Sequence, residues 1–241
     1  MYYYIYDSYL SEKKYVSTLA RIENRLTDLG INGKINRLSF LKNIRQVLED
    51  EVKKGTKTIV VVGNDQTLNK VVNIIHDLNI TIGYIPVGKN NISELLNIPE
   101  AELACDTLSA RIIKNVDLGK INDEYFFTTL IAGGQQATIN CDDNFFLTLE
   151  NKNNYIQISK LSSSNKFDNN KLEVLICDRK RKLLKQTNKS CSRLFSKTIK
   201  ITSKKPMSIS IKDEAQVVKT PTTISVVPKK INIICGKGIN C

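Results

Sequence analysis

The chain has 241 residues, 41% of them hydrophobic, and a formal net charge of +12. That length supports one large core or two modest ones, and that apolar share excludes a disordered chain. No run approaches the roughly eighteen apolar residues of a membrane span, and the opening MYYYIYDSYLSEKK has neither the basic region nor the small-residue cleavage site of a secretory leader, so a cytoplasmic chain is expected.

Tyr3–Tyr6 reads as a first strand, followed by an apolar stripe at Tyr15, Leu19, Ile22, Leu26 and Leu29 with helical spacing. Gly30 closes that helix. Lys34–Asn36 predicts a second strand, and Leu38, Leu41, Ile44 and Leu48 a second helix before Gly55. Thr58–Val62 is apolar nearly throughout, as a strand buried on both faces of a parallel sheet must be. Leu68, Val71, Val72 and Ile75 give the next helix and Thr81–Val87 the next strand. This alternation predicts an α/β domain with a parallel, doubly wound sheet.

Near residue 110 the pattern changes. Ile112–Leu118 and Tyr125–Ile131 are strand-like runs joined across residues 120–124 as a hairpin. Lys171–Cys177, Ser196–Ser203, Met207–Lys212, Thr222–Val227 and Lys230–Cys235 then follow as short strands without a long helix. The expected division is a nucleotide-binding α/β domain over 1–110 and a mostly antiparallel β-sandwich, substrate-binding domain over 111–241, with a nucleotide cleft between them. The polar stretch Ser159–Asn170 reads as a mobile loop.

Cys105, Cys141, Cys177, Cys191, Cys235 and Cys241 form no C-x-x-C pair, and His76 is the single histidine, so neither a zinc site nor a disulfide framework is expected. The charge is uneven: residues 1–150 carry 16 Lys/Arg against 19 Asp/Glu, and residues 151–241 carry 20 against 5. The C-terminal part can attract anionic headgroups, nucleic acid or a polyanionic substrate alike, since the field acts on charge alone. Arg179–Lys182 is its densest point and reads most plainly as a solvated loop. No recognition-helix motif or aromatic RNA-binding module favours nucleic acid.

The chemistry concentrates in two turns. In TIVVVGNDQTLNKVVN a buried strand stops at Gly63 and a helix opens, where Gly63 permits close approach of a phosphate, Thr67 and the following amides can donate to it, and Asp65 can orient magnesium. The plainer alternative is a polar turn capping a helix. A second turn, Pro86 to Asn91, follows the next strand and emerges at the same sheet edge, where Lys89 can neutralise phosphate charge and Asn90 or Asn91 can bond to it. Neither turn fits G-x-x-x-x-G-K-[ST] or G-x-G-x-x-G. His76 reads as an ordinary helical residue, Tyr2, Tyr3 and Tyr4 as part of the first strand, and Asp142-Asp143 as an acidic turn.

These residues resemble the diacylglycerol kinase catalytic-domain family of bacterial lipid kinases, related to sphingosine kinases and NAD kinases. The family's Gly-Gly-Asp-Gly-Thr loop followed by Leu-Asn-Glu-Val-Val-Asn is similar to Gly63-Asn64-Asp65-Gln66-Thr67 followed by Leu68 to Asn73. Its Pro-Leu-Gly-Thr-Gly-Asn-Asp resembles Pro86-Val87-Gly88-Lys89-Asn90-Asn91-Ile92, its Asp-Leu-Gly and Tyr-Phe recur at Asp117–Gly119 and Tyr125-Phe126, and Ala132 to Ala137 stands for its Gly-x-Gly-x-Asp-Ala. The segment Ile209 to Glu214 is similar to the strand running into Asp-Gly-Glu.

The resemblance implies ATP and Mg2+ as cofactors, held by Gly63, Asn64, Asp65, Gln66, Thr67, Gly88, Lys89, Asn90 and Asn91. It implies Glu214 as general base on a lipid-like alcohol such as diacylglycerol, Asp65 as its N-terminal catalytic partner, and Asp65 and Asp213 as metal-binding acids. It also implies a homodimer, and the basic C-terminal part of such an enzyme would draw it to peripheral contact with an anionic membrane at its inner face. Asn64, Gln66 and Asn90 stand where the family has glycine, and Ile92 and Gln136 where it has aspartate. Those substitutions motivate the alternative of a catalytically inactive relative that binds an anionic lipid or another polyanion.

Overall fold

A computed structural model describes residues 1–38, 43–127, 130–133, 137–149, 154–162, 170–178, 191–204, 207–211 and 214–238. The chain divides into two units, Met1–Val116 with Lys229–Cys241, and Asp117–Pro228.

The first unit runs β1 (Tyr2–Tyr6), α1 (Val16–Asp28), β2 (Lys34–Arg37), α2 (Ile44–Lys53), β3 (Thr58–Gly63), α3 (Asp65–Ile75), β4 (Thr81–Pro86), α4 (Ile92–Leu95) and α5 (Ala104–Ala110). Its strands lie parallel in the order β2-β1-β3-β4. Every residue of β3 and β4 is buried, which accounts for their unbroken apolar runs. Helix α1 buries Leu19, Ile22 and Leu26. Its exposed Arg21 and Arg25 pair with Glu102 and Asp106. Gly30 follows at φ +64°, a left-handed turn that a glycine takes without strain. Helix α2 starts later than the stripe suggested: Asn43 caps it by accepting from the Gln46 amide, whereas the Leu38 amide bonds to the Tyr6 carbonyl beside the sheet. Leu41 lies outside the described residues.

Strand β5 (Ile113–Ile121) carries the chain from the first unit into the second. There follow β6 (Glu124–Phe126), β7 (Leu130–Gly133), β8 (Ala137–Cys141), β9 (Phe145–Leu149), β10 (Asn154–Ser159), β11 (Leu172–Asp178), β12 (Cys191–Ser196), β13 (Thr198–Ser203), β14 (Met207–Ile211), β15 (Glu214–Val218) and β16 (Thr222–Ile234). In the second unit β16, β13, β8 and β9 make one antiparallel layer, and β12, β11, β10, β7, β14 and β15 the other. Ile139, Ile199, Ile201 and Ile224 from one layer share a core with Ile156, Ile158, Val174 and Met207 from the other. Alternation of buried and exposed residues, as in Thr198–Ser203, gives each strand its core face.

The structure departs from the sequence reading in four places. Tyr125–Ile131 is not one strand: β6 pairs with β5, and β7 pairs with β10 and β14 in the other layer. Thr222–Val227 and Lys230–Ile234 are parts of one strand, β16, which runs on through Pro228 with a local left-handed departure at Lys229, φ +47°. Its last residues pair parallel with β4, Asn232 with Thr81 and Ile233 with Ile82, so residues 229–241 belong to the first unit and the boundary falls after Val116. The six-cysteine pattern hid a disulfide, Cys177–Cys191, between directly opposed residues of β11 and β12. Their Cα atoms are 4.4 Å apart because the antiparallel register places them side by side. The bond closes a loop spanning 14 positions, and its loss through Cys177→Ser with Cys191→Ser is expected to cost about 3 kcal/mol. Urea unfolding of the oxidised protein against the double variant measures it; equal midpoints count against the bond as a stabiliser.

Candidate active site

The order β2-β1-β3-β4 reverses direction between β1 and β3, the kind of switch point beside which open α/β sheets bind their ligands. Three loops meet at this edge of the first unit: Asp7 after β1, Gly63-Asn64 after β3, and Val87 to Asn91 after β4. The Asp7 amide donates to the Val62 carbonyl at 3.0 Å and the Val87 amide to the Gly63 carbonyl at 2.8 Å.

At the second loop Gly63 must lack a side chain, because a Cβ there would meet Thr67 Oγ1 at 2.6 Å. Asn64 caps α3: its Oδ1 accepts from the amides of Gln66 at 3.0 Å and Thr67 at 3.1 Å, and its own amide donates to Thr67 Oγ1 at 3.3 Å. The helix amides expected to receive a phosphate therefore already have an acceptor. Thr67 Oγ1 also donates to Asp7 Oδ2 at 2.5 Å, across the point where the strand order reverses.

Asp65 joins the second loop to the third. It is 5% exposed. Its Oδ2 accepts from the Asn91 amide at 2.7 Å, and both oxygens lie within reach of the Ile92 amide, at 3.2 and 3.3 Å. Tyr84 Oη donates to Oδ1 at 3.3 Å. Burial, then the Asp65 charge, pushes the Tyr84 phenol far above its ordinary range, so it stays a donor. A carboxylate at this position also complements the amino end of α4.

In the third loop Gly88 takes φ +86°, and Tyr9 and Tyr15 cover it, their hydroxyls 3.6 and 3.7 Å from where a Cβ would stand. Tyr9 Oη donates to the Val87 carbonyl at 2.5 Å, and its ring meets Tyr15 edge-on at 5.3 Å. Asn90 Nδ2 donates to the Gly88 carbonyl at 2.8 Å and to Glu100 at 3.0 Å, and its Oδ1 accepts from Ser93. Lys89 is exposed.

The structure thus brings Gly63, Asn64, Asp65, Gln66, Thr67, Gly88, Lys89, Asn90 and Asn91 to one edge of the first unit. Of the remaining predicted residues, Glu214 opens β15 opposite Ile211 in the second unit, and its side chain is not described. Asp213, Gln136 and Arg179–Lys182 lie outside the described residues, as do residues 163–169 of the expected mobile loop. Asp7 was missed as a site residue, although an acid directly after the first strand of an α/β sheet was a readable signal. The set-aside groups have structural partners: His76 Nδ1 lies 2.9 Å from the Asn73 carbonyl, and Asp142 accepts from the amides of Lys197 and Thr198. Burial alone would raise the Asp142 carboxyl, but those amides outweigh it and hold the group below its usual range. Among the described residues no three His, Cys, Asp or Glu side chains are grouped to hold a metal ion. No helix there is long and apolar enough to cross a membrane.

A parallel sheet with three loops gathered at its switch point, followed by a two-layer β unit, defines the class. Residues 2–121 match the family Diacylglycerol kinase catalytic domain, and the chain belongs to that family. It is 27% identical over 139 residues to a diacylglycerol kinase of Bacillus subtilis (strain 168), a stretch covering 56% of this chain and 45% of that protein. It is 41% identical over 81 residues to a diacylglycerol kinase of Staphylococcus carnosus (strain TM300), covering 32% of this chain and 26% of that one. The matches therefore span less than half the length of these relatives. A crystal structure of a diacylglycerol kinase from Bacillus anthracis strain Sterne superposes with a TM-score of 0.79 over 99% of this chain and 98% of that one at 17% identity, and so has the same fold.

Proposed function

We propose that the protein is a lipid kinase that transfers the γ-phosphoryl group of ATP to the hydroxyl of diacylglycerol or a related lipid alcohol. The observation that carries this reading is Asp65, which ties the loops after two adjacent parallel strands into one edge at the position where the family has its nucleotide loop.

The residues fit a nucleotide's phosphates on one condition. Gly63 is bare and Thr67 stands beside it, but the Gln66 and Thr67 amides become available only when the Asn64 side chain rotates away. Gly63, Thr67 and those amides would then hold the phosphates, with Lys89 adding positive charge; Asp65, and Asp213 by its place in the motif, are the acids that would hold magnesium. Bound ATP with magnesium supplies the transferable phosphoryl group. Glu214 takes the proton from the acceptor hydroxyl, which makes that oxygen the nucleophile. The basic C-terminal part draws the enzyme to anionic membrane, in contact with its substrate.

Phosphoryl transfer from ATP to diacylglycerol in mixed micelles tests this directly. Glu214→Gln is expected to lower kcat by at least about a hundredfold with little change in KM for ATP. Transfer that survives Glu214→Gln removes the base; no transfer by the unaltered chain removes the reading. Asn64→Gly is expected to cost only a few tenths of a kcal/mol and to tighten ATP binding, because glycine caps nearly as well yet leaves both amides free. Titration calorimetry reads it, and unchanged or weaker affinity would show that Asn64 does not compete with phosphate.

A further inference from the structure

We infer that the β8–β9 hairpin of the second unit is a bilayer anchor, with Phe145 and Phe146 inserting among lipid headgroups and Lys200 reaching their phosphates. The assignment rests on the lipid-kinase reading for its choice of occupant.

Phe145 and Phe146 are each 66% exposed, the largest exposure of any bulky apolar residue described. They stand at the start of β9, directly after the turn Asp142 to Asn144. Each leaves about 130 Å² of ring in water, given roughly 200 Å² for a whole aromatic side chain. Phe146 is not part of the core face: it pairs with Asn140, which pairs with Lys200, and these three form a row across β9, β8 and β13 on the face opposite Ile139, Ile199 and Ile201, whereas Phe145 pairs with the buried Cys141 and stands on the other face, so the hairpin tip carries one exposed ring on each side. Two strand spacings put Lys200 roughly 10 Å from Phe146, within reach of a headgroup whose acyl region the ring enters.

β9 is an edge strand among the described residues, and its sequence FFLTL has no charge. Of the other described edge strands, β2 carries Lys34 and Arg37 and β12 carries Arg193. An unprotected aromatic edge needs an occupant. The area is too small for a second copy of the chain, since about 260 Å² falls well short of the roughly 800 Å² per partner of a stable protein interface. It suits reversible insertion into a bilayer, where the rings need only enter the interface. The charge nearby is balanced, Asp142 and Asp143 against Lys197 and Lys200, so insertion at this tip is driven by the rings and resists salt, unlike attraction by the basic segment.

The test is sedimentation of the full chain with phosphatidylcholine vesicles containing diacylglycerol, without nucleotide, at low and high salt. The unaltered chain is expected to partition at both salt concentrations, and Phe145→Ser with Phe146→Ser to weaken partitioning at least about tenfold without changing the melting temperature. Both rings are solvent-exposed, so folding should survive. Equal partitioning of the two proteins, or none by the unaltered chain, overturns the assignment. So does a dimer in light scattering that the double substitution dissolves, which would give the edge to a second copy. Phosphoryl transfer to a short-chain diacylglycerol in solution, assayed in parallel, is expected to be the same for both; its absence sinks the kinase reading and leaves the vesicle result standing.

Discussion

Asp65→Ala is expected to lower the unfolding free energy by about 4 kcal/mol, a large share of what a domain of this size has. The carboxylate is buried and accepts from the Asn91 and Ile92 amides and from Tyr84 Oη. Hydrogen bonds to a charged acceptor contribute about 1.5–3 kcal/mol each, and its removal leaves donors buried without it. Asp65→Asn keeps one oxygen acceptor and should cost roughly half as much. Urea unfolding of the three proteins measures both steps. An Asp65→Ala midpoint equal to that of the unaltered chain would mean that the carboxylate does not hold the two loops together. The same geometry bears on activity: a transfer assay on Asp65→Ala mixes lost chemistry with a collapsed loop, so Asp65→Asn, assayed where it is fully folded, is the variant that reports on the chemistry.

Lys160→Met should cost about 4 kcal/mol for a different reason. Lys160 Nζ lies 3.5 Å from Asp117 Oδ2, and both side chains are essentially out of water, at 0% and 2% exposure. Breaking a buried ion pair on one side typically costs about 3–5 kcal/mol, whereas replacing both members with apolar groups is often neutral. Asp117 also accepts from the Asn170 amide at 3.3 Å, a bond that Lys160→Met leaves in place and that only replacement of Asp117 removes. The double variant Lys160→Met with Asp117→Leu is therefore expected to recover most of the loss. Thermal unfolding of the two single variants and the double variant checks it; strictly additive losses would show that the pair is not coupled.

Asp117 belongs to the Asp-Leu-Gly landmark, and its partner shows the limit of reading one motif at a time. Nothing in the sequence singles out Lys160 among the 36 basic residues, because its burial follows from the course of β10 beside β11 and not from its neighbours in the chain. Asp7 is a similar case. It lies 60 residues from Thr67 and meets it only because β1 and β3 are adjacent parallel strands in register, Tyr6 against Val62.

What the sequence determined by itself is what local periodicity and local turn chemistry encode. Thr58–Gly63 had to be a central strand because burial on both faces requires an apolar residue at every position, and α1 had to be a helix because Leu19, Ile22 and Leu26 fall on one face. The two loops after β3 and β4 were legible for the same reason, as glycine and polar turns directly after such strands, and the ordered landmarks from Gly63 to Asp117 carried the family. Tertiary structure alone decided the rest. It returned the last residues of β16 to β4, split Tyr125–Ile131 between two layers, paired Cys177 with Cys191, and turned Asp65 toward the amides of Asn91 and Ile92. Each of these depends on strand order and register between segments far apart in sequence, and pairing energy of that kind leaves no periodic trace in either segment alone.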